Sequence, residues 1–427
     1  MIKIGILGCG TIGGGVIRLL ESKGVEIQQK MDNQIEIKKV LARTPDKARA
    51  IGVPEEKITQ DPDDIINDPE IQIVVELIGG IDTAKDFISR AIKAGKNVVT
   101  ANKDLIARHG NELYKLANEK NIDLYYEASV GGGIPIIMPM RRTLAGNSIL
   151  SMIGILNGTT NYMLTRMSKE GMSYDAVLKE AQDLGFAEQD PTSDVDGLDA
   201  GRKIAILAKL AFNADVSDLD VRCEGIRGVR QRDIVLAKDL GYTIKLLAVA
   251  KDKEEGIELG VYPSFIPERH PLAAVSDAYN ALYVTGDAVG DVMLYGLGAG
   301  AMPTASSVVG DIMQIARHIK AESTGIGNDL RVFDKQVLPA EKTVYSYYVC
   351  MTVDDKPNVL SAIAKGFGDH NVSIQSVVQK HTTDNWAELV LITHDVEKKD
   401  IDAALKTIGE LPEVGRVDNV LRVMNDL

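Results

Sequence analysis

Short apolar runs alternate with helical stretches over the first third of the chain. "IKIGILG" (2–8) precedes the helical "VIRLLESKG", and "EIKKVLAR" (36–43) reads as a second strand. "IQIVVELIG" (71–79) and "KNVVTAN" (96–102) are two more, separated by "TAKDFISRAIKAG", whose helical periodicity stops on a glycine. "NELYKLANEKN" then leads to a further strand, "IDLYYEASV". Strands alternating with helices predict a parallel sheet with helices on both faces, an α/β domain of Rossmann type over residues 1–135.

From residue 136 the pattern changes. Helices are predicted from near Thr159, at "SYDAVLKEAQDLG" and at "LDAGRKIAILAKLAF", while "IKLLAVAKDKEEGIELGVYPSFI" (244–266) predicts two antiparallel strands around a charged turn. This is an α+β layer over 136–297. A long helix from about Thr304 lies within 298–335, a stretch expected to complete the first domain. Proline and mixed charges interrupt the pattern at "GNDLRVFDKQVLPAEKTV". Residues 345–427 then run strand, helix, strand, strand, helix, strand, the βαββαβ order of a ferredoxin-like domain.

A chain of 427 residues accommodates these two or three domains. Its net charge of −13 opposes nucleic acid or anionic lipid as the main partner. "MIKIGILGCG" is too short an apolar run, too soon broken by glycine, for a signal peptide. No uncharged apolar stretch approaches the ~20 residues of a membrane helix. Three scattered cysteines (Cys9, Cys223, Cys350) lack metal-ligand spacing. A reducing, cytoplasmic setting is the simplest expectation, with no membrane and no nucleic acid.

"GCGTIGGG" places Gly8, Gly10 and Gly13 as G-x-G-x-x-G, with Thr11 and Ile12 opening the helix. After a strand and before an apolar helix, this spacing predicts a dinucleotide site. Gly8 allows the tight turn, Gly10 lets backbone approach a pyrophosphate, and Gly13 lets helix and strand pack closely. At the end of the second strand stands Arg43, where an NAD site places a carboxylate. An arginine accepts a 2′-phosphate, so NADP(H) is expected in preference to NAD(H); the alternative is a surface charge beside Asp46. Lys103, in "TANK", ends a strand at the carboxyl edge of the sheet, where such folds bind ligands.

"DVDGLDAGRK" (194–203) holds three aspartates and an arginine–lysine pair. Asp199 and Lys203, at i and i+4, share a helix face. By spacing alone they are a surface pair worth ~0.3–0.5 kcal/mol.

The set "GCGTIGGG", "VVELIGG", "TANK", "EASVGGGIPII", "ILNGTTNYML", "LGFAEQDPTSDVDGLDAGRK" and "GAGAMPTASSVVGD" closely resembles homoserine dehydrogenases over residues 1–330. The tail from Tyr345 resembles the ACT domain of their longer bacterial forms. The resemblance implies reversible hydride exchange between L-homoserine and L-aspartate 4-semialdehyde, on the path to threonine, methionine and isoleucine. It also implies a substrate and dimerisation role for 136–297, a homodimer or homotetramer, and a regulatory role for 345–427.

By the same resemblance Lys203 is the proton donor and acceptor, and Lys103 is a second lysine near cofactor and substrate. Glu188, Asp199 and Asp194 bind substrate, while Gly185 and Gly300 contact the cofactor. A monovalent cation, Na+, falls on Glu127, Val130, Gly132 and Ile134, mostly through carbonyl oxygens, which leave little trace in a sequence. An ammonium beside an alkoxide that forms on hydride transfer can stabilise and protonate it, so the residue types suit the chemistry. The tail departs from its pattern at Asn358, where ACT domains carry glycine; Asn tolerates left-handed backbone. Threonine is the expected effector, with oligomerisation through a sheet edge the rival role. An aspartate-semialdehyde dehydrogenase would need a nucleophilic cysteine, which Cys223 and Cys350 do not supply. A non-catalytic sensor would have no use for Glu188, Asp199 and Lys203.

Overall fold

The computed structural model describes residues 1–326, 333, 335–381 and 385–425. The described residues of 1–150, 202–221 and 280–335 form one compact unit, and those of 151–201, 222–279 and 336–427 a second.

The chain begins with β1 (Ile2–Leu7), α1 (Thr11–Met31), β2 (Ile35–Leu41), α2 (Pro45–Ala50), β3 (Ile58–Thr59) and α3 (Asp63–Ile66). It continues through β4 (Ile73–Glu76), α4 (Asp82–Lys93), β5 (Asn97–Thr100), α5 (Lys103–Glu119) and β6 (Leu124–Tyr125). The six strands form one sheet in the order β3-β2-β1-β4-β5-β6, all neighbours parallel. β4 and β5 are buried at every position, as strands covered on both faces must be. The Rossmann-type expectation for this region therefore holds.

Two details differ from the sequence reading. The two-residue β3 carries too little apolar signal to be seen. "IDLYYEASV" is extended only at Leu124–Tyr125, because Glu127–Ser129 turn into a single 3-10 turn.

Next come β7 (Ile149–Ile155), α6 (Gly158–Glu170), α7 (Tyr174–Asp183), α8 (Thr192–Val195) and α9 (Leu198–Phe212). They are followed by β8 (Arg222–Cys223), α10 (Gln231–Asp239), β9 (Tyr242–Lys253), β10 (Gly256–Pro267), β11 (Tyr279–Gly286), β12 (Gly290–Leu297) and α11 (Ala301–Lys320). α11 starts earlier than the expected Thr304: Pro303 lies in its first turn, where a missing N–H leaves no helix bond unmade. In the first unit α11 packs on α1 so closely that a Cβ on Gly15 would lie 2.8 Å from the carbonyl oxygen of Ala301.

The tail is β13 (Val344–Asp354), α12 (Val359–Gly368), β14 (Ile374–His381), β15 (Trp386–Thr393), β16 (Val396–Glu397), α13 (Lys398–Gly409) and β17 (Val414–Val423). Apart from the short β16, this is the expected βαββαβ order. Asn358 does take left-handed backbone, φ 76°, at the start of α12.

In the second unit the tail does not stand apart from the central strands. Ser264 and Phe265 of β10 pair in parallel with Arg422 and Val423 of β17, and the sheet runs β7-β9-β10-β17-β13-β15-β14. Phe265 stacks on Tyr348 with ring centroids 4.5 Å apart. The Arg422 guanidinium lies 3.5 Å above the Tyr262 ring. Asp233, fully buried on α10, accepts hydrogen bonds from Arg230 (2.6 Å), Asn419 (2.7 Å) and the Tyr348 hydroxyl (2.9 Å).

Burial pushes the Asp233 carboxyl up, but Arg230 and Asn419 outweigh it and hold it below the ordinary carboxylate range. A depressed folded value gives stability that is present above the unfolded pKa and lost as pH falls through the folded one. Asp233→Asn is therefore expected to cost about 1–3 kcal/mol near neutrality. In denaturant melts across pH, its difference from the parent should close in acid.

Candidate functional site

The first unit holds a cleft of about 510 Å³ at the carboxyl ends of β1, β2 and β4. The β1–α1 turn forms its floor. Gly8 has φ 108°, and a Cβ on Gly13 would sit 2.2 Å from the Gly8 carbonyl oxygen, so neither position admits a side chain without moving the turn. A Cβ on Gly10 would meet nothing within 4 Å. Thr11 and Ile12 follow in the first turn of α1, whose exposed N–H groups suit a phosphate. Arg43 lines the cleft, and so does Lys47, which the sequence reading missed. It sits on α2, four residues past Arg43, in a stretch that carries no binding motif. Asp46 is turned outward and paired with Arg49 at 2.5 Å; among the described residues no carboxylate lines the cleft.

A buried polar network sets the next strand ends. Glu76, closing β4, accepts from the N–H groups of Ile78 (2.8 Å) and Gly79 (3.2 Å) and from the Thr100 hydroxyl (2.7 Å). Burial raises its carboxyl pKa. Asn102 donates to the Gly80 carbonyl at 2.6 Å and accepts from the Leu105 N–H, capping α5. Lys103 is thereby held as the first residue of α5, and Asp104 beside it pairs with Arg202 of α9 at 3.0 Å. One residue further along α9 is Lys203, 8% exposed. Lys209 continues the seam, donating to the Ala107 carbonyl at 2.6 Å, and burial lowers its pKa to about 8.

In the second unit two acids converge. The Asn157 amide donates to Asp194 at 2.7 Å and to Asp199 at 2.9 Å. The same side chain caps α6, accepting from the Thr160 N–H at 2.9 Å. Asp199 is 4% exposed, one helical turn before Lys203 on α9. Glu188 stands exposed on the loop after α7, near Gly185, which has φ 75°. Gly300 has φ 114° and precedes α11. The sequence reading did not single out Asn157, although "LNGTT" carries an Asn cap signal before a helix.

The first unit also contains the Glu127–Ile134 turn. The Glu127 carboxylate accepts from three successive N–H groups, those of Ile136, Ile137 and Met138 (2.5–2.8 Å). It is therefore committed to backbone. Val130 and Ile134 are buried, and the Gly132 carbonyl accepts from Ser307 at 2.7 Å. Among the described residues no cluster of three or more His, Cys, Asp or Glu side chains could hold a metal.

Family models match in three blocks: a homoserine dehydrogenase NAD-binding domain over residues 8–127, a homoserine dehydrogenase domain over 135–313, and an ACT domain over 348–413. A homoserine dehydrogenase of Synechocystis sp. is 46% identical, covering 99% of this chain and 100% of its own. The chain belongs to the homoserine dehydrogenase family. Another member, from Bacillus subtilis, is 41% identical over 99% of this chain and 98% of its own. The crystal structure of a homoserine dehydrogenase from Thiobacillus denitrificans superposes with a TM-score of 0.94 at 40% identity, covering 99% and 98% of the two chains. A hyperthermophilic archaeal homoserine dehydrogenase in complex with NADPH is 27% identical, with a TM-score of 0.63 over 74% of this chain and 97% of that one.

Two carboxylates that share one amide repel each other, and that donor offsets part of the repulsion. Asn157→Ala removes the donor and the α6 cap together. The expected loss is about 1–3 kcal/mol of stability at neutral pH, read from denaturant melts.

Proposed function

We propose that this chain interconverts L-homoserine and L-aspartate 4-semialdehyde with a nicotinamide cofactor, NADP(H) in preference to NAD(H). The observation that carries the reading is the convergence of Asp194 and Asp199 on Asn157, one helical turn from the buried Lys203. A cationic α-amino group fits between two carboxylates, and a hydroxyl or carbonyl oxygen fits beside an ammonium.

The cofactor, when bound, supplies or takes up the hydride. The glycine floor and the α1 N-terminus would hold its pyrophosphate, with Gly185 and Gly300 as backbone contacts. Arg43 and Lys47 offer two cations to a 2′-phosphate, and the outward Asp46 leaves nothing to repel it. In the reducing direction Lys203 donates a proton to the substrate oxygen as negative charge develops there; in the oxidising direction it accepts that proton. Asp199, Asp194 and Glu188 are the candidate substrate ligands, and Lys103 is a second candidate lysine for the reaction.

The Glu127–Ile134 turn fits a monovalent cation such as Na+. With the Glu127 carboxylate spent on backbone N–H groups, the ligands would be carbonyl oxygens of Glu127, Val130, Gly132 and Ile134, hard donors suited to such an ion. The tail is the candidate threonine site, supported by the left-handed turn that Asn358 preserves. Self-association into a homodimer or homotetramer is supported by β12, a strand at the end of its sheet order with Met293, Tyr295 and Leu297 exposed. A cytoplasmic location fits three cysteines that form no disulfide among the described residues, where also no helix is long and apolar enough to cross a membrane.

Purified protein should oxidise L-homoserine with NADP+. Lys203→Ala should lower kcat by roughly 10²–10⁴-fold; near-normal turnover would remove the proton-transfer role. In the same steady-state assay, Arg43→Ala combined with Lys47→Ala should raise the KM for NADP+ by about tenfold or more. The KM for NAD+ should move little, since only the phosphate contacts are lost.

A further inference from the structure

A strap of chain, Arg222–Arg227, lies between the C-terminal layer and the helix that carries Asp194. On one side it is held by Arg422 of β17, which is 3% exposed and grips the Glu224 carboxylate with both terminal nitrogens, at 2.6 and 3.1 Å. Backbone fixes its height: Arg222 and Cys223 pair with Gly260 and Val261 of β10, and the Glu224 N–H donates to the Val261 carbonyl at 2.8 Å.

On the other side the strap is pressed against α8. The Ile226 N–H donates to the Val195 carbonyl at 2.8 Å. A Cβ on Gly225 would lie 2.2 Å from that same oxygen and 2.5 Å from Asp196 Cα, so the backbones touch with no room for a side chain. Arg227 pairs with Asp196 at 2.6 Å. Val195 and Asp196 are the two residues immediately after Asp194.

We propose that Glu224, clamped by Arg422, is a positioning residue for the substrate. Through the strap it seats α8 and so sets the Asp194 carboxylate against Asn157 and Asp199. This rests on the substrate role proposed above for Asp194. Glu224 and Arg422 act through other residues, so their loss shifts the recognition of homoserine and leaves the cofactor cleft and the proton carrier in place. Arg422 left without Glu224 is also worse than no pair at all, because that guanidinium, 3% exposed, stays buried without its carboxylate.

The test is steady-state kinetics of the full chain with L-homoserine and NADP+, on Glu224→Gln, Arg422→Met and the double variant, beside Asp194→Asn. Melting curves would establish that each is folded at the assay temperature. Expected for either single variant is a roughly tenfold rise in the KM for homoserine, below the ~100-fold that a 1 Å misplacement can cost. The KM for NADP+ and kcat should stay within about twofold, and the double variant should recover part of the loss. A purely architectural role would lower the folded fraction, and apparent kcat with it, at unchanged KM. That result in both single variants, while Asp194→Asn raises the homoserine KM, overturns the proposal. If Arg422→Met does not fold, Glu224→Gln decides alone. An unchanged KM in Asp194→Asn would overturn the substrate reading itself, and this inference falls with it.

Discussion

The side-chain amide of Asn157 donates to two carboxylates at once, those of Asp194 and Asp199, and so fixes them beside each other. Much local structure serves this arrangement. The Asn157 oxygen is occupied in capping α6, which fixes the amide's direction. Gly197, at φ 81°, turns the chain between α8 and α9, so that Asp194 and Asp199 reach the amide from two helices. An unbroken helix then carries the register onward from Asp199 to Lys203. A charge-bearing site built this way depends on its hydrogen bonds more than on apolar contact, since each lost donor leaves a carboxylate facing another.

α9 is pinned along its length by different means. Arg202 reaches Asp104 at the head of α5, and Lys209 donates to carbonyls of Ile106 and Ala107. Lys103 and Lys203 thus belong to two helices tied together at neighbouring residues. The second unit relies on a buried cation in the same way. Arg422 satisfies Glu224, stacks on Tyr262 and lies in the strand that pairs with β10. A tail attached through such a contact shares one sheet with β10.

The alternation of apolar strands and amphipathic helices made the parallel sheet legible, because β4 and β5 are buried at every position around paired valines. The βαββαβ tail was legible for the same reason. Glycine spacing pointed to the cleft, since a tight turn at Gly8 and close packing at Gly13 leave few other residues possible. What stayed hidden depends on tertiary contact. Lys47 acquires meaning only when α2 folds over the cleft. Glu76 and Thr100 are unremarkable in "VVELIGG" and "VVTANK" until their strands lie side by side. Asn157 caps α6, and its second role needs Asp194 and Asp199, 37 and 42 residues away. The parallel pairing of β10 with β17 spans more than 150 residues and leaves no mark in either strand. The role of Lys203 came from the resemblance alone, since an i,i+4 pair with Asp199 describes countless surface helices.

If Asp194, Asp199 and Lys203 serve one substrate, a crystal structure of the protein with L-homoserine and an oxidised nicotinamide cofactor should place the substrate's amino group within hydrogen-bond distance, about 2.7–3.2 Å, of Asp194 or Asp199. Its hydroxyl should lie equally close to Lys203 Nζ. Homoserine ordered elsewhere, with these three side chains untouched, would contradict a shared site.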